Sequence, residues 1–172
     1  MEPKTKLPVT ITGSCLCEAI RYTITFPTDA EWPPKFNATC QCTKCRKFTG
    51  SLLPQGHVLP RPYITPAINN TTFATYTSFQ SSEHCYRSFC SKCGSSLTFH
   101  DETKPDVIEI YLGTLDEDVL CKRDGGVLGE ELCKSGVHIW VGNGVKGVSD
   151  GERLEGVRWK GDRGGEEMKR KA

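Results

Sequence analysis

The chain has 172 residues, enough for one domain with a real core and short for two of ordinary size. Lys and Arg total 22 and Asp and Glu 21, so the near-zero net charge supplies neither the basic field of a general nucleic-acid binder nor that of a protein held on an anionic membrane. Ten cysteines are more than a buried core uses and fewer than a short secreted disulfide scaffold carries. No apolar stretch near Met1 would serve as a signal peptide, and no run approaches the ~18 apolar residues of a membrane span. A cytoplasmic protein is expected, with the nucleus as the other compartment. There, clustered thiols bind metal or do chemistry rather than pair as disulfides.

In chain order, residues 9–12 and 19–26 open the pattern, with Ile20, Tyr22, Ile24 and Phe26 at every second position. That is the period of a half-buried strand. The proline-rich stretches 27–34 and 54–66 cannot run as central strands, because proline lacks the ladder donor, and they are expected as surface loops. A short helical turn is predicted after Cys45, through Arg46, Lys47 and Phe48. Further strands are predicted at 72–79, 85–89, 97–100, 107–112 and 137–141, all rich in β-branched and aromatic residues. The fold class is therefore mostly β, antiparallel, with only short helical turns. Residues 1–159 read as one domain. Residues 160–172 hold a single large apolar side chain, Met168, and are expected to fray as a charged tail.

Seven cysteines form three tight groups: Cys15 and Cys17; Cys40, Cys42 and Cys45; Cys90 and Cys93. Two thiolates separated by one or two residues turn toward one ion with little backbone strain, and Gly94 supplies the turn after Cys93. The group of three can hold an ion alone, whereas the two pairs are each insufficient. The economical solution joins Cys15, Cys17, Cys90 and Cys93 in one closed four-thiolate zinc site, leaving Cys40, Cys42 and Cys45 as a second zinc site with an open position. Simpler readings stand beside this one. A C-x-C pair also occurs as buried small hydrophobes, a C-x-x-C pair as a redox couple, and the second site would close if His57, His84 or Cys85 supplied a fourth ligand.

Three thiolates donate so much charge that an ion there suits a soft incoming ligand better than water, and a substrate thiol would be held as its thiolate. Lys44, Arg46 and Lys47 crowd the group and offer contacts to substrate carboxylates, Arg46 bidentately. For Lys44 a solvated charged turn is the plainer expectation.

At this point the residues resemble the glutathione-dependent formaldehyde-activating (GFA) family, which includes centromere protein V. The resemblance lies in Gly13-Ser14-Cys15-Leu16-Cys17, in Cys40 to Arg46 with Gly50 and Ser51 after it, in Arg87-Ser88-Phe89-Cys90-Ser91-Lys92-Cys93-Gly94, and in Gly113-Thr114-Leu115-Asp116. It implies a β-tent fold, a structural zinc at Cys15, Cys17, Cys90 and Cys93, and a catalytic zinc at Cys40, Cys42 and Cys45. Glu18 stands where the family commonly has Gly. His138 lies where the family tends to carry a His, either as a support to the site or as a packed strand residue. Cys85, Cys121 and Cys133 match no motif position.

The activity so implied is that of a zinc-dependent carbon–sulfur lyase joining glutathione to formaldehyde as S-hydroxymethylglutathione; the cations beside the open group, Arg46 and Lys47, are the residues expected on the substrate. The rival class is a zinc module without turnover, either a glutathione carrier or a domain that binds protein or nucleic acid. Near-neutral charge, with Lys169-Arg170-Lys171 the only dense basic run, speaks against nucleic acid. No acid–base residue is evident in the sequence.

Overall fold

A computed structural model describes residues 9–28, 37–121, 128–150 and 156–168. The expected loop at 27–34 falls mostly outside them. The chain is mostly β, in two sheets. Strands β1 (Val9–Ser14) and β2 (Arg21–Phe26) pair antiparallel, and the short β5 (Ile64–Thr65) completes a three-stranded sheet. Alternation sets their register: Val9 faces Phe26 and Ile11 faces Ile24, all buried. Gly13 faces Tyr22, and a Cβ there would meet the Tyr22 hydroxyl and the Thr114 carbonyl.

The eight-stranded sheet is built from β3 (Asn37–Cys40), β4 (Gln55–Pro60), β6 (Tyr76–Ser82), β7 (Cys85–Cys90), β8 (Ser96–Asp101), β9 (Val107–Tyr111), β10 (Val137–Ile139) and β11 (Val157–Arg158). Its order is β11-β10-β3-β4-β9-β8-β7-β6. Pairing is antiparallel from β3 to β6, and parallel where β10 joins β3 and β11. All seven predicted strand segments carry strands. Strand β4, however, occupies much of the stretch 54–66 expected to be a loop, and the two-residue β5 lies near its end. The prolines of β4 explain the difference: Pro54 precedes the strand and Pro60 ends it, so the donors from Gln55 to Leu59 are intact.

The predicted helical turn is α1 (Thr43–Thr49), beginning just before Cys45; α2 (Glu117–Leu120) and α3 (Leu128–Cys133) are also short. No helix among the described residues is long and apolar enough to cross a membrane. Ile108 and Ile110 of β9 pack with Leu97, Ile11, Ile24 and Phe26 into the core between the sheets.

Residues 160–168 differ from the expected frayed tail. Trp159 N–H donates to the His138 carbonyl at 2.8 Å, Trp140 N–H to Gly161 at 2.7 Å, and Met168 N–H to Arg158 at 2.8 Å. Order here comes from backbone hydrogen bonds at an open sheet edge, which a count of apolar residues does not register. Residues 169–172 lie outside the described residues.

Candidate functional site

Two knuckles bring the first cysteine group together. Cys15 directly follows β1, and its N–H bonds the Ile20 carbonyl at 2.9 Å; Cys90 ends β7, and its N–H bonds the Ser95 carbonyl at 3.0 Å. In each knuckle the residue after the second cysteine takes the left-handed conformation, Gly94 at φ 78° and Glu18 at φ 59°. This is the physical use of a glycine at position 18, and here a glutamate bears the strain. Ser95 Oγ joins the knuckles, accepting from Leu16 N–H at 2.9 Å and lying 3.2 Å from Cys93 Sγ.

The four sulfurs lie within 4.8 Å of one another. A tetrahedron with Zn–S bonds of ~2.3 Å has edges of ~3.8 Å. Cys15 and Cys17 sulfurs stand 3.6 Å apart, and Cys17 and Cys90 sulfurs 3.9 Å. The group therefore has the size and the donor chemistry of a closed thiolate metal site, and all four cysteines are free of disulfides. It bridges the sheets, since Cys15 directly follows β1 of the three-stranded one and Cys90 ends β7 of the eight-stranded one.

The second group is Cys40, Cys42 and Cys45, whose sulfurs also lie within 4.8 Å of one another. Cys40 ends β3, while Cys42 caps α1 by accepting from Cys45 N–H at 3.3 Å. Its soft three-donor set also fits a metal. Contacts from Cys40 and then Cys45 hold the Cys42 thiol down to about 2, whereas Cys40, which shares these contacts, is pushed up. Neither His57, His84 nor Cys85 joins this group. His57 is buried in β4, His84 pairs with Glu102 at 2.6 Å on an exposed turn, and Cys85 lines the cavity without entering the cluster.

Strand alternation assembles the surroundings. Ile108 and Ile110 face the core, which turns Glu109 and Tyr111 to the other face of the sheet; Gly56 and Val58 of β4 and Arg87 of β7 share that face. There a cavity of about 700 Å³ opens over the three thiols. Arg87, only 4% exposed, donates from Nη2 to Cys45 Sγ at 3.1 Å and from Nη1 to Ser81 Oγ, with its guanidinium 5.0 Å above the Phe99 ring. Glu109 lies over Gly56, where a Cβ would collide with the carboxylate. Burial pushes the Glu109 carboxyl up to about 7, Arg87 pulling it down and Cys42 adding to the rise.

Sequence reasoning missed Arg87 and Glu109 as site residues. Arg87 lies in the run that carries the family resemblance, without a local signal of a site role, while Glu109 is detectable as the one charge in a strand whose alternate positions are Ile. Of the cations singled out, Lys44 lines the cavity. Arg46 does not, and Lys47 lines a separate groove beside Cys15 and Cys93. His138 is buried in β10, 2.6 Å from Thr39 Oγ1. Cys121 is exposed and Cys133 half-buried, outside both cysteine groups.

Comparison with known proteins agrees with these motifs. A Halomonas elongata protein, named as a candidate glutathione-dependent formaldehyde-activating enzyme, is 28% identical over 121 residues. The match covers 62% of this chain and 66% of that protein, just under two thirds of its length. A crystal structure of a Rhodobacter sphaeroides protein aligns with a TM-score of 0.46 at 16% identity, over 67% of this chain and 96% of that one. The family described as glutathione-dependent formaldehyde-activating enzyme matches residues 10–143. With both cysteine groups of its motifs gathered in the fold, the chain belongs to the GFA family.

Proposed function

We propose that this chain is a zinc-dependent enzyme of carbon–sulfur lyase type, joining the thiol of glutathione to formaldehyde to give S-hydroxymethylglutathione. The reading rests on one observation: three clustered thiols, a buried guanidinium and a carboxyl held near neutrality meet at a single cavity. In it, Cys15, Cys17, Cys90 and Cys93 hold a structural zinc, and Cys40, Cys42 and Cys45 a catalytic one. Zinc at the three-thiol site supplies Lewis acidity and favours a bound thiol as thiolate near neutral pH.

The residues of the chain do the rest. Arg87 fixes Cys45 and neutralises part of the thiolate charge. Glu109 takes the proton of the substrate thiol; the sulfur bonds to the formaldehyde carbon, the carbonyl π pair moves to oxygen, and Glu109 returns the proton to that oxygen. An acid constant near the working pH suits a group that both accepts and donates. The main gain is proximity, because thiol addition to formaldehyde is already easy in water. Lys44, rather than Arg46 or Lys47, is the nearer cation for a substrate carboxylate.

The test is metal analysis of the purified protein followed by NMR exchange rates for glutathione and formaldehyde with and without it. Two zincs per chain and faster exchange are expected. Unchanged exchange with tight glutathione binding would replace the enzyme by a glutathione carrier.

A further inference from the structure

The family match ends at residue 143, yet the cavity does not. Asp162 and Arg163, from the turn after β11, form part of its wall, beside Trp140 at the end of β10. Trp140 is held at φ 57°, ψ 33°, a left-handed conformation that a bulky residue adopts only when its surroundings impose it. What imposes it is this same turn: Trp140 N–H bonds the Gly161 carbonyl at 2.7 Å, and Val141 N–H bonds Trp159 at 3.0 Å. The chain thus keeps a tryptophan where glycine or asparagine would sit without strain, and the indole, about one third exposed, lines the cavity.

Charged side chains from both sides of that boundary stand at the rim. The rim cations are Lys44, Lys104 and Arg163, and its carboxylates are Asp101 and Asp162. Asp101 is engaged by Thr103, from N–H at 2.9 Å and from Oγ1 at 2.7 Å, and Asp162 accepts from Arg163 N–H at 3.0 Å. Lys44 and Lys104 have no ion pair among the described residues.

We infer that the turn at 159–163, together with the Trp140 it pins, is the specificity-determining wall of the three-thiol cavity, selecting thiols that carry carboxylates by seating them between Trp140, Arg163 and the two lysines. The inference rests on the proposed reaction only for the identity of the thiol group. It assigns to the turn at 159–163, outside the family match, a share in the reading of the rest of the substrate, together with Trp140 and the two lysines inside the match.

The experiment compares glutathione with 2-mercaptoethanol, which has no carboxylate, on the full-length metal-loaded protein. Half-saturation is read twice, by exchange rate and by intrinsic fluorescence, with W140F separating the Trp140 signal from the other tryptophans. In R163A the ratio of glutathione to 2-mercaptoethanol half-saturation is expected to rise about five-fold, and in R163E at least ten-fold, the range of one charge-assisted contact at a partly exposed rim. W140G accepts the left-handed turn without strain and is expected to weaken glutathione binding about five-fold while the fold is retained. Ratios within two-fold of wild type in all three variants overturn the wall. Absence of glutathione binding in the wild type overturns it too. Fluorescence ratios that shift as expected in a protein that speeds no exchange would uphold the wall and discard the enzymatic reading, while exchange in wild type with unmoved ratios would do the reverse.

Discussion

Replacing Cys90 by Ser is expected to unfold the domain. Cys90 is fully buried, and its sulfur stands 3.9 Å from that of Cys17, on the edge of the tetrahedron that joins the two sheets. A structural zinc site contributes on the order of 10 kcal/mol to folding, because no such site exists in the unfolded chain. Net stability of a domain is only about 5–15 kcal/mol. A serine hydroxyl is a poor zinc ligand and would also be left without a partner, at a further cost of about 1–3 kcal/mol. The variant should therefore lose most or all of its margin. Circular dichroism melts and metal content by mass spectrometry read both effects, with Cys121→Ser, an exposed thiol outside both groups, as the control. A C90S protein that melts within a few degrees of wild type would refute the staple.

Cys42→Ser is expected to lose one zinc and the exchange activity while the melt stays cooperative, because that group lies within the eight-stranded sheet and α1 rather than across the sheets; equal unfolding of C42S and C90S would contradict the division into open and structural sites. Glu109→Gln should slow exchange yet stabilise the fold. In wild type the carboxyl stays neutral when folded up to about pH 7 but ionises in the unfolded chain near its usual 4.5, so stability falls as pH rises between these values. E109Q escapes that loss and should exceed wild type by about 3 kcal/mol at pH 8, converging below about pH 4.5 in denaturant titrations. Glu18→Gly should raise stability by about 0.5–1 kcal/mol by relieving the left-handed strain, since the exposed ion pair it loses with Arg21 is worth little; a lower denaturation midpoint would show that the pair outweighs the strain.

Much of this was legible in the sequence because cysteine spacing and strand alternation are local signals. The two knuckles are written in Cys15-Leu16-Cys17 and Cys90-Ser91-Lys92-Cys93, and β2 in its alternating Ile and aromatic residues. What was not legible depends on partners distant in the chain. Strand β4 looks like a proline loop until β3 and β9 flank it, and its prolines fall at the ends where they cost no ladder bond. The turn at 160–168 has almost no apolar content, and its partners are backbone groups of the edge strand β11, of the residues that follow β10 and of the turn itself. Arg46 and Lys47 follow Cys45 in sequence but do not line the cavity, whereas Arg87, distant in sequence, reaches Cys45 because β7 and α1 meet.

Strand β7 makes the two cysteine groups one mechanical unit. Arg87 and Cys90 are an odd number of residues apart, so alternation sends them to opposite faces of the sheet, Arg87 to the cavity and Cys90 to the core. A shift in register by one residue would exchange these faces and remove both the guanidinium from Cys45 and a ligand from the staple. The register irregularity between Ser88 and Phe89, opposite β8, lies between the two residues and lets the strand end in a tight knuckle without disturbing the pairing of Arg87 with Phe99. The structural ion proposed at Cys90 would thus fix where Arg87 stands. Loss of that ion should abolish activity even in conditions, such as high osmolyte, that hold the sheets folded.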